Sequence, residues 1–375
     1  MKLLYISSAR LPSTRAHSIQ IMKMAEAFSD LAEIILYVAR IDGAPEESFR
    51  FYGIAGFFPV VSAKWPFKTK FGRIKIIWVF LKGYFFSLKI RPDFIYLREF
   101  ILAFLFSFFM EAKNIVLEVH SIPIRYKFMF KLALKRAGKL IVTNEAKKLE
   151  IMDKCGVSAD KIFLARNGVD LREFDRILKS KEELRRELKL PEGKTLFGFV
   201  GNFTAKGLDK GLELTFEAFS KINFPFGLVF VGDGKKEHEI YLEKAKKHGL
   251  RDELFLQEYV PHHDVPKWLK AMDFLILPYA PAGEHFLRFM SPLKAAEYMA
   301  SGVPILSSDL PALKEFLSGF AVFFKAGDVK DYREKIGWAK NNLAPCKSMA
   351  ALAAKRASEE FSWDRRAKEI LAFIS

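Results

Sequence analysis

Cysteine is nearly absent from this sequence, at two residues in 375, Cys155 and Cys346. Two distant cysteines without CxxC spacing supply neither a disulfide framework nor a thiolate metal site, and they suit a reducing compartment. No apolar run is long enough to cross a bilayer. The longest, Phe100 to Met110 (FILAFLFSFFM), falls well short of the roughly 20 residues a spanning helix needs, so a core helix is expected there. No charged start, apolar stretch and cleavage site precede the first strand-like run, MKLLYIS, so no secretory signal is expected. The histidines show no metal-ligand spacing, and His262–His263 reads as an ordinary loop. No DxD-type acidic pair follows a strand-like run, and GxSxG, GxGxxG and Walker patterns are missing. The GKT at Gly193–Thr195 precedes a strand and lacks the upstream glycine. These absences favour metal-free chemistry on a phosphate-bearing ligand, with no bound cofactor.

Acidic residues are also missing from a whole segment, Phe57 to Pro92, which carries Lys64, Lys68, Lys70, Arg73, Lys75, Lys82, Lys89 and Arg91. Aromatic rings, Trp65, Phe67, Trp78, Tyr84 and Phe85 among them, alternate with these cations. Rings that bury beside amines that meet phosphate suit the headgroup boundary of an anionic membrane. A core helix pair with a solvated basic face would use the same residues, and nucleic acid is the weakest of the three readings. The net charge of +16 calls for an acidic partner or an anionic surface.

What is present is a repeated grammar. KLLYIS, EIILYVA, DFIYLRE, NIVLEVHS and KLIVTN are short apolar runs separated by helical patterns, and TLFGFVGN, FGLVFVGDG, ELFLQEYV, DFLILPYA and VPILSSD repeat the scheme. Buried runs alternating with helices predict two α/β domains, each a parallel sheet covered on both faces, whose strand-end loops would lie across one cleft if the sheets faced each other. The polar stretch DRILKSKEELRRELKLPEGK separates them. The first domain is expected over residues 1–175 and the second over 190–356. The tail from Ala350 reads as a helix pair interrupted around Ser362 to Asp364.

Ligands of open parallel sheets sit beyond the carboxyl ends of the strands, so the residues just after each run are the candidates. In RFMSPLKAAEYMASG, Ser291 is the expected N-cap, Pro292 the first helical residue, and Leu293 onward helical. Lys294 falls in a first turn that carries no acid. A cation there is unfavourable unless an anion binds, and the free amides are themselves an anion site. Glu297 lies on the same face. A second candidate is the loop after TLFGFVG, with Gly201, Asn202, Lys206 and Lys210, where glycine lets backbone approach phosphate. His120 ends NIVLEVH, His17 lies after the first strand with Ser18 as a possible cap, and Arg98 ends DFIYLR. His120 can donate to a sugar hydroxyl or move a proton. Arg98 can hold an anionic acceptor or pair with Glu99 or Glu118.

Taken in order, LEVH, ARNGVDLREF, the VGN…KG loop, LVFVGDG, DFLILPYA, SPLKAAEYMASGVPILSSD and FSWDRRAKEIL resemble the retaining nucleotide-sugar glycosyltransferases of the GT-B fold, family 4. The resemblance runs along almost the whole chain. It implies a hexosyltransferase-type enzyme that moves a sugar from a nucleotide-diphosphate sugar, its co-substrate, to a lipid-linked or cell-surface glycan with retention. It implies an α/β fold of two Rossmann-like domains facing a central cleft, with the donor bound by the second domain and a last helix, about 357–375, packed back on the first. By resemblance Lys210, with Lys206 as fallback, Ser291, Pro292, Leu293 and Lys294 meet the diphosphate beside Gly201 and Asn202. Glu297 meets the ribose, His120 the transferred sugar, and His17, Ser18 and Arg98 the acceptor. Two positions depart from the family pattern. Phe289 stands where the first of two paired glutamates is usual, leaving His285 and Arg288 as substitutes, and Ala16–His17 replaces a glycine pair. A catalytically inactive scaffold and a nucleotide-sugar epimerase are the alternatives. The expected location is cytoplasmic, peripheral on the inner face of a membrane, with no nucleic-acid partner.

Overall fold

In a computed structural model, described for residues 1–67, 72–205 and 207–375 and for all their side chains except those of Arg73, Ala205, His285 and Phe286, the apolar runs become two parallel sheets. The first contains β1 (Lys2–Leu11), β2 (Glu33–Ile41), β3 (Val60–Ser62), β4 (Phe94–Leu97), β5 (Ile115–Val119), β6 (Lys139–Val142) and β7 (Ile162–Leu164). Their order is β3-β2-β1-β4-β5-β6-β7. The second half begins with β8 (Thr195–Val200), followed by a small hairpin of β9 (Thr204–Ala205) and β10 (Leu208–Asp209). Then come β11 (Phe226–Val231), β12 (Leu254–Gln257), β13 (Phe274–Leu277), β14 (Ile305–Ser308) and β15 (Val322–Phe324), giving a six-stranded sheet ordered β12-β11-β8-β13-β14-β15. Both are doubly wound, and the order reverses between β1 and β4 in one and between β8 and β13 in the other. Ligand sites belong at those reversals.

The chain divides into two compact units, residues 1–167 with 363–375, and residues 168–362. The stretch 168–175, expected in the first unit, therefore lies in the second. The cause is burial: Val169, Phe174, Leu184 and Leu190 join the core of Leu196, Leu275 and Met299. In the first unit, Leu4, Ile6, Ile95, Leu97, Ile115 and Leu117 form the sheet's share of the core. The apolar run from Phe100 becomes the short helix Phe100–Phe106, with Leu102, Ala103 and Phe106 buried against that core.

The last helix, Trp363–Ile374, buries Trp363, Arg366, Ala367, Ile370, Leu371 and Ile374, one stripe at helical spacing. Arg366 is the unusual member. Its guanidinium donates to Glu118 and to the carbonyls of Ala165 and Arg166, and Glu118 is wholly buried at the end of β5. Burial works to raise the Glu118 pKa, yet the charge of Arg366 outweighs it and holds the carboxyl well below its usual range.

Arg366→Ala leaves this carboxylate buried and uncompensated, and is expected to cost about 3–5 kcal/mol in urea unfolding at pH 7. The folded pKa lies below the unfolded value, so the pair's contribution is full above about pH 4.3 and lost as pH falls through the depressed value. The difference between wild type and variant should therefore shrink on acidification. A difference that stays constant down to pH 2 would show that packing, not charge, is what Arg366 supplies.

Candidate functional site

In the second unit, the site is built where β8 ends. Gly201 has φ +116, and a β-carbon there would lie 2.4 Å from Lys294 Cε and 2.8 Å from its Nζ. Only glycine lets this lysine lie against the strand end. The ammonium of Lys294 sits 3.8 Å from the centre of the Phe199 ring and is buried with no hydrogen-bond partner. Lys210 lies beside it, donating to the Asn202 carbonyl. Burial first, then the neighbouring Lys210, holds Lys294 well below the usual lysine range. Burial also brings Lys210 down to about 8, against the pull of Asp233. Asp233 is itself engaged, accepting from the Phe203 amide at 2.6 Å.

Lys294 stands at the start of the helix Leu293–Ser301. The cap differs from expectation: Pro292, not Ser291, is the N-cap residue, and the helix has no side-chain cap and no acid in its first turn. Proline's fixed φ suits the cap as well as the first helical position. Pro292 offers these first amides no side-chain cap, and they carry the positive end of the helix dipole. Lys206 lies outside the described residues, as does the side chain of His285.

Glu297, one turn on, accepts from His262 Nε2 at 2.8 Å, and His262 Nδ1 is 3.4 Å from Glu173. The loop reading of His262 is therefore corrected. It is a buried imidazole held between two carboxylates. Burial alone would lower its pKa, but the bonds to Glu173 and Glu297 prevail and raise it to about 10. Glu173 belongs to the LREF run, far away in sequence, so no local pattern could show the pairing. Phe289 closes the short turn His285–Phe289 with its ring buried, and the Arg288 guanidinium lies 5.2 Å from the ring centre.

In the first unit, a cavity of about 560 Å³ opens at the ends of β1, β4 and β5 and is lined by His17, Arg98 and His120 among others. Burial and Arg98 lower the His120 pKa to about 3, so it is a neutral imidazole at pH 7, with Nε2 3.0 Å from Glu118 Oε1. Burial, Arg98, Arg15 and Lys75 bring His17 to about 4. Arg98 donates to the His17 carbonyl at 2.9 Å and to Gln20, and makes no ion pair with Glu99 or Glu118. Ser18 does not cap. The helix Ala16–Ser29 starts before it, and its hydroxyl is buried away from the cavity lining. Among the described residues no group of three or more His, Cys, Asp or Glu could hold a metal ion.

Residues 180–356 match the family model of the glycosyl transferases group 1. That stretch, just under half of the chain, is similar to that family. A curated relative, the lipopolysaccharide core biosynthesis mannosyltransferase LpsB of Rhizobium meliloti, is 25% identical over 218 residues, covering 55% of this chain and 58% of LpsB. The chain thus spans little more than half the length of that relative. Among solved structures, a sucrose-phosphate synthase from Thermosynechococcus elongatus superposes with a TM-score of 0.78 at 14% identity, covering 99% of this chain and 97% of the other. Anabaena HepE in complex with UDP-glucose gives 0.76 at 17% identity, covering 99% of each. At such identities the likeness is one of fold, the two-domain α/β architecture of GT-B glycosyltransferases.

The His262 arrangement makes a direct prediction. His262→Ala leaves two carboxylates side by side and is expected to cost about 3 kcal/mol at pH 7 by urea denaturation. A raised pKa contributes fully below the unfolded value of about 6.5 and fades as pH rises through about 10. The cost should therefore shrink at pH 10.5. An unchanged cost there would mean that the imidazole is not held charged.

Proposed function

We propose that this chain is a retaining glycosyltransferase that takes a sugar from a nucleotide-diphosphate sugar and places it on a lipid-linked or cell-surface glycan, working at an anionic membrane surface in the cytoplasm. The observation that carries the donor half is the pairing of the buried, unpartnered Lys294 ammonium with Lys210, at the uncapped start of the helix Leu293–Ser301. Two buried cations and free amides at one spot are a poor arrangement by themselves and a good one around a diphosphate. Charge that develops on the leaving nucleotide diphosphate is met by Lys294, Lys210 and those amides, which are in place before reaction. Glu297, with one oxygen held by His262, offers the other to ribose hydroxyls. His120, neutral, contacts the transferred sugar. HepE, of the same fold, has been solved with UDP-glucose. No metal or cofactor takes part in this scheme.

Support for the acceptor half is of two kinds. LpsB acts in lipopolysaccharide core biosynthesis by its name. Within this chain, the helix Gly72–Ile90 leaves Ile74, Ile77, Trp78, Leu81, Phe85 and Leu88 exposed, Phe85 at 67%. Their spacing places them on one face. Lys82 and Lys89 flank that face, and Phe109, itself exposed, packs at 5.2 Å from the Tyr84 ring of the same helix. A contiguous apolar face rimmed by lysine suits the headgroup boundary. Among the described residues no helix is long and apolar enough to cross a membrane. Of the basic segment, Lys68, Lys70 and the Arg73 side chain lie outside the described residues.

A catalytically inactive scaffold is the second reading, favoured by Phe289, whose buried ring offers no hydrogen bond to a sugar. Thermal shift against UDP-, GDP- and ADP-sugars separates the two. A donor at 100 times its dissociation constant should add about 2.7 kcal/mol, roughly 5–10 °C for a unit of this size, and Lys294→Ala should abolish the gain. No gain with any donor favours the scaffold.

The membrane half is tested with Leu81→Asp/Phe85→Asp. Wild type should sediment with vesicles rich in phosphatidylglycerol at low salt. Each buried side chain is worth about 1.5–3 kcal/mol, so the variant should stay in the supernatant. Wild-type protein that remains soluble beside those vesicles would remove the membrane from the proposal.

A further inference from the structure

The cavity of the first unit carries more positive charge than the glycosyl-transfer reading requires. Arg10, Arg15, Lys75 and Arg98 line it, opposed by only two carboxylates, Glu99 and Glu118. Glu118 is engaged elsewhere, and Glu99 keeps only one oxygen, Oε2, without a hydrogen bond. Glu118 is held by Arg366, Gln20 and Tyr96. Glu99 turns one oxygen to the Ser8 amide at 2.9 Å and to the hydroxyls of Ser7 and Ser8. Arg15, Lys75 and Arg98 have no ion-pair partner among the described residues, and Arg10 has only Asp42, at 3.4 Å, which Arg40 also engages. Partial burial lowers the His17 pKa most, and three of these cations, Arg98, Arg15 and Lys75, each push it down further. That common effect marks a shared field, not scattered surface charges.

We infer that the acceptor is phosphorylated and that Arg10, Arg15, Lys75 and Arg98 bind its phosphate in this cavity. The inference rests on the glycosyl-transfer reading and names its substrate class. A phosphate monoester carries a charge of about −1.5 to −2 at pH 7 and offers three acceptor oxygens. That fits the excess of cations over carboxylates, and guanidinium forks match phosphate oxygens in pairs. A neutral sugar would leave the cations unopposed in a half-enclosed space. Lys75 sits on the helix Gly72–Ile90, whose outer face exposes the apolar stripe. Two sources can supply such a phosphate, a lipid carrier and a soluble sugar phosphate.

The test titrates inorganic phosphate into the full chain, into Arg15→Ala/Lys75→Ala and into Lys294→Ala, at constant ionic strength. Phosphate binding should weaken tenfold or more in the double variant while UDP binding is unchanged. Arg15 is exposed, so Arg15→Ala alone should weaken binding without touching the fold. Phosphate affinity lost only in Lys294→Ala would place the anion in the second unit and overturn the inference. Equal affinity in all variants would do the same. UDP binding scores the donor reading separately, since none of these four cations belongs to the second unit. Competition by vesicles containing phosphatidic acid, against phosphatidylcholine alone, would name a lipid-borne phosphate. Competition by glucose 6-phosphate would name a soluble one, and competition by neither would sink the idea.

Discussion

One carboxylate with no exposure, Glu118, sets the terms for the first unit. An unopposed charge at that depth would cost several kcal/mol, and its chief counter-ion, Arg366, arrives from the far end of the chain. The pair explains why the last thirteen residues fold with a unit that the chain left at Asn167. It also fixes the charge of the neighbouring cavity. With Glu118 committed to Arg366, Arg98 turns to Gln20 and the His17 carbonyl, and its charge stays uncompensated. Burial first, and then the charge of Arg98, keeps His17 and His120 neutral at physiological pH. One buried ion pair thus docks a helix and leaves Arg98 to add its charge to the burial of two imidazoles.

The second unit meets the opposite problem, cations without acids. Glu297 is the carboxylate nearest in sequence to Lys294, but His262 engages it, and Asp233 is spent on a backbone amide. Lys294 and Lys210 are left facing each other. Both units therefore carry excess positive charge at the carboxyl ends of their strands, in a chain whose net charge is already +16. Self-repulsion of this kind lowers stability. Arrangements that lower stability locally persist where chemistry uses them, and here they fall at the two sheet reversals where ligands of this architecture sit.

The strands were legible because they are buried on both faces and read as unbroken apolar runs. The three-residue edges β3, β7 and β15 were not, since so few residues carry no period. Residues 168–175 read as the end of the first domain and the polar stretch after them as a linker, because charges conceal the apolar residues that join the second core. At the sites, Gly201, Lys210, His120 and Arg98 stand out because they follow strands, and Lys294 because it opens a helix with no acid in its first turn. His262 could not. Its meaning comes from Glu173 and Glu297, and only the fold brings the three together. The capping roles given to Ser291 and Ser18 failed because helix starts are poorly defined to within a residue or two.

Composition alone could not say whether the basic aromatic segment was core or surface, and the helix Gly72–Ile90 is both. Val79, Phe80 and Ser87 are buried on one side, while Ile74, Leu81 and Leu88 are exposed on another. A helix apolar on two faces needs two apolar environments, and the first unit's core supplies one. Lys75, Lys82 and Lys89 recur every seven residues, which puts them on the border between the faces. At a bilayer that border lies at phosphate depth. Lys82 and Lys89 are exposed there, whereas Lys75 lines the cavity. A helix seated in this way would hold the cavity's mouth at the level of lipid phosphates, and the lysines that would position the protein and the one that would meet a phosphorylated acceptor would then be consecutive members of one stripe.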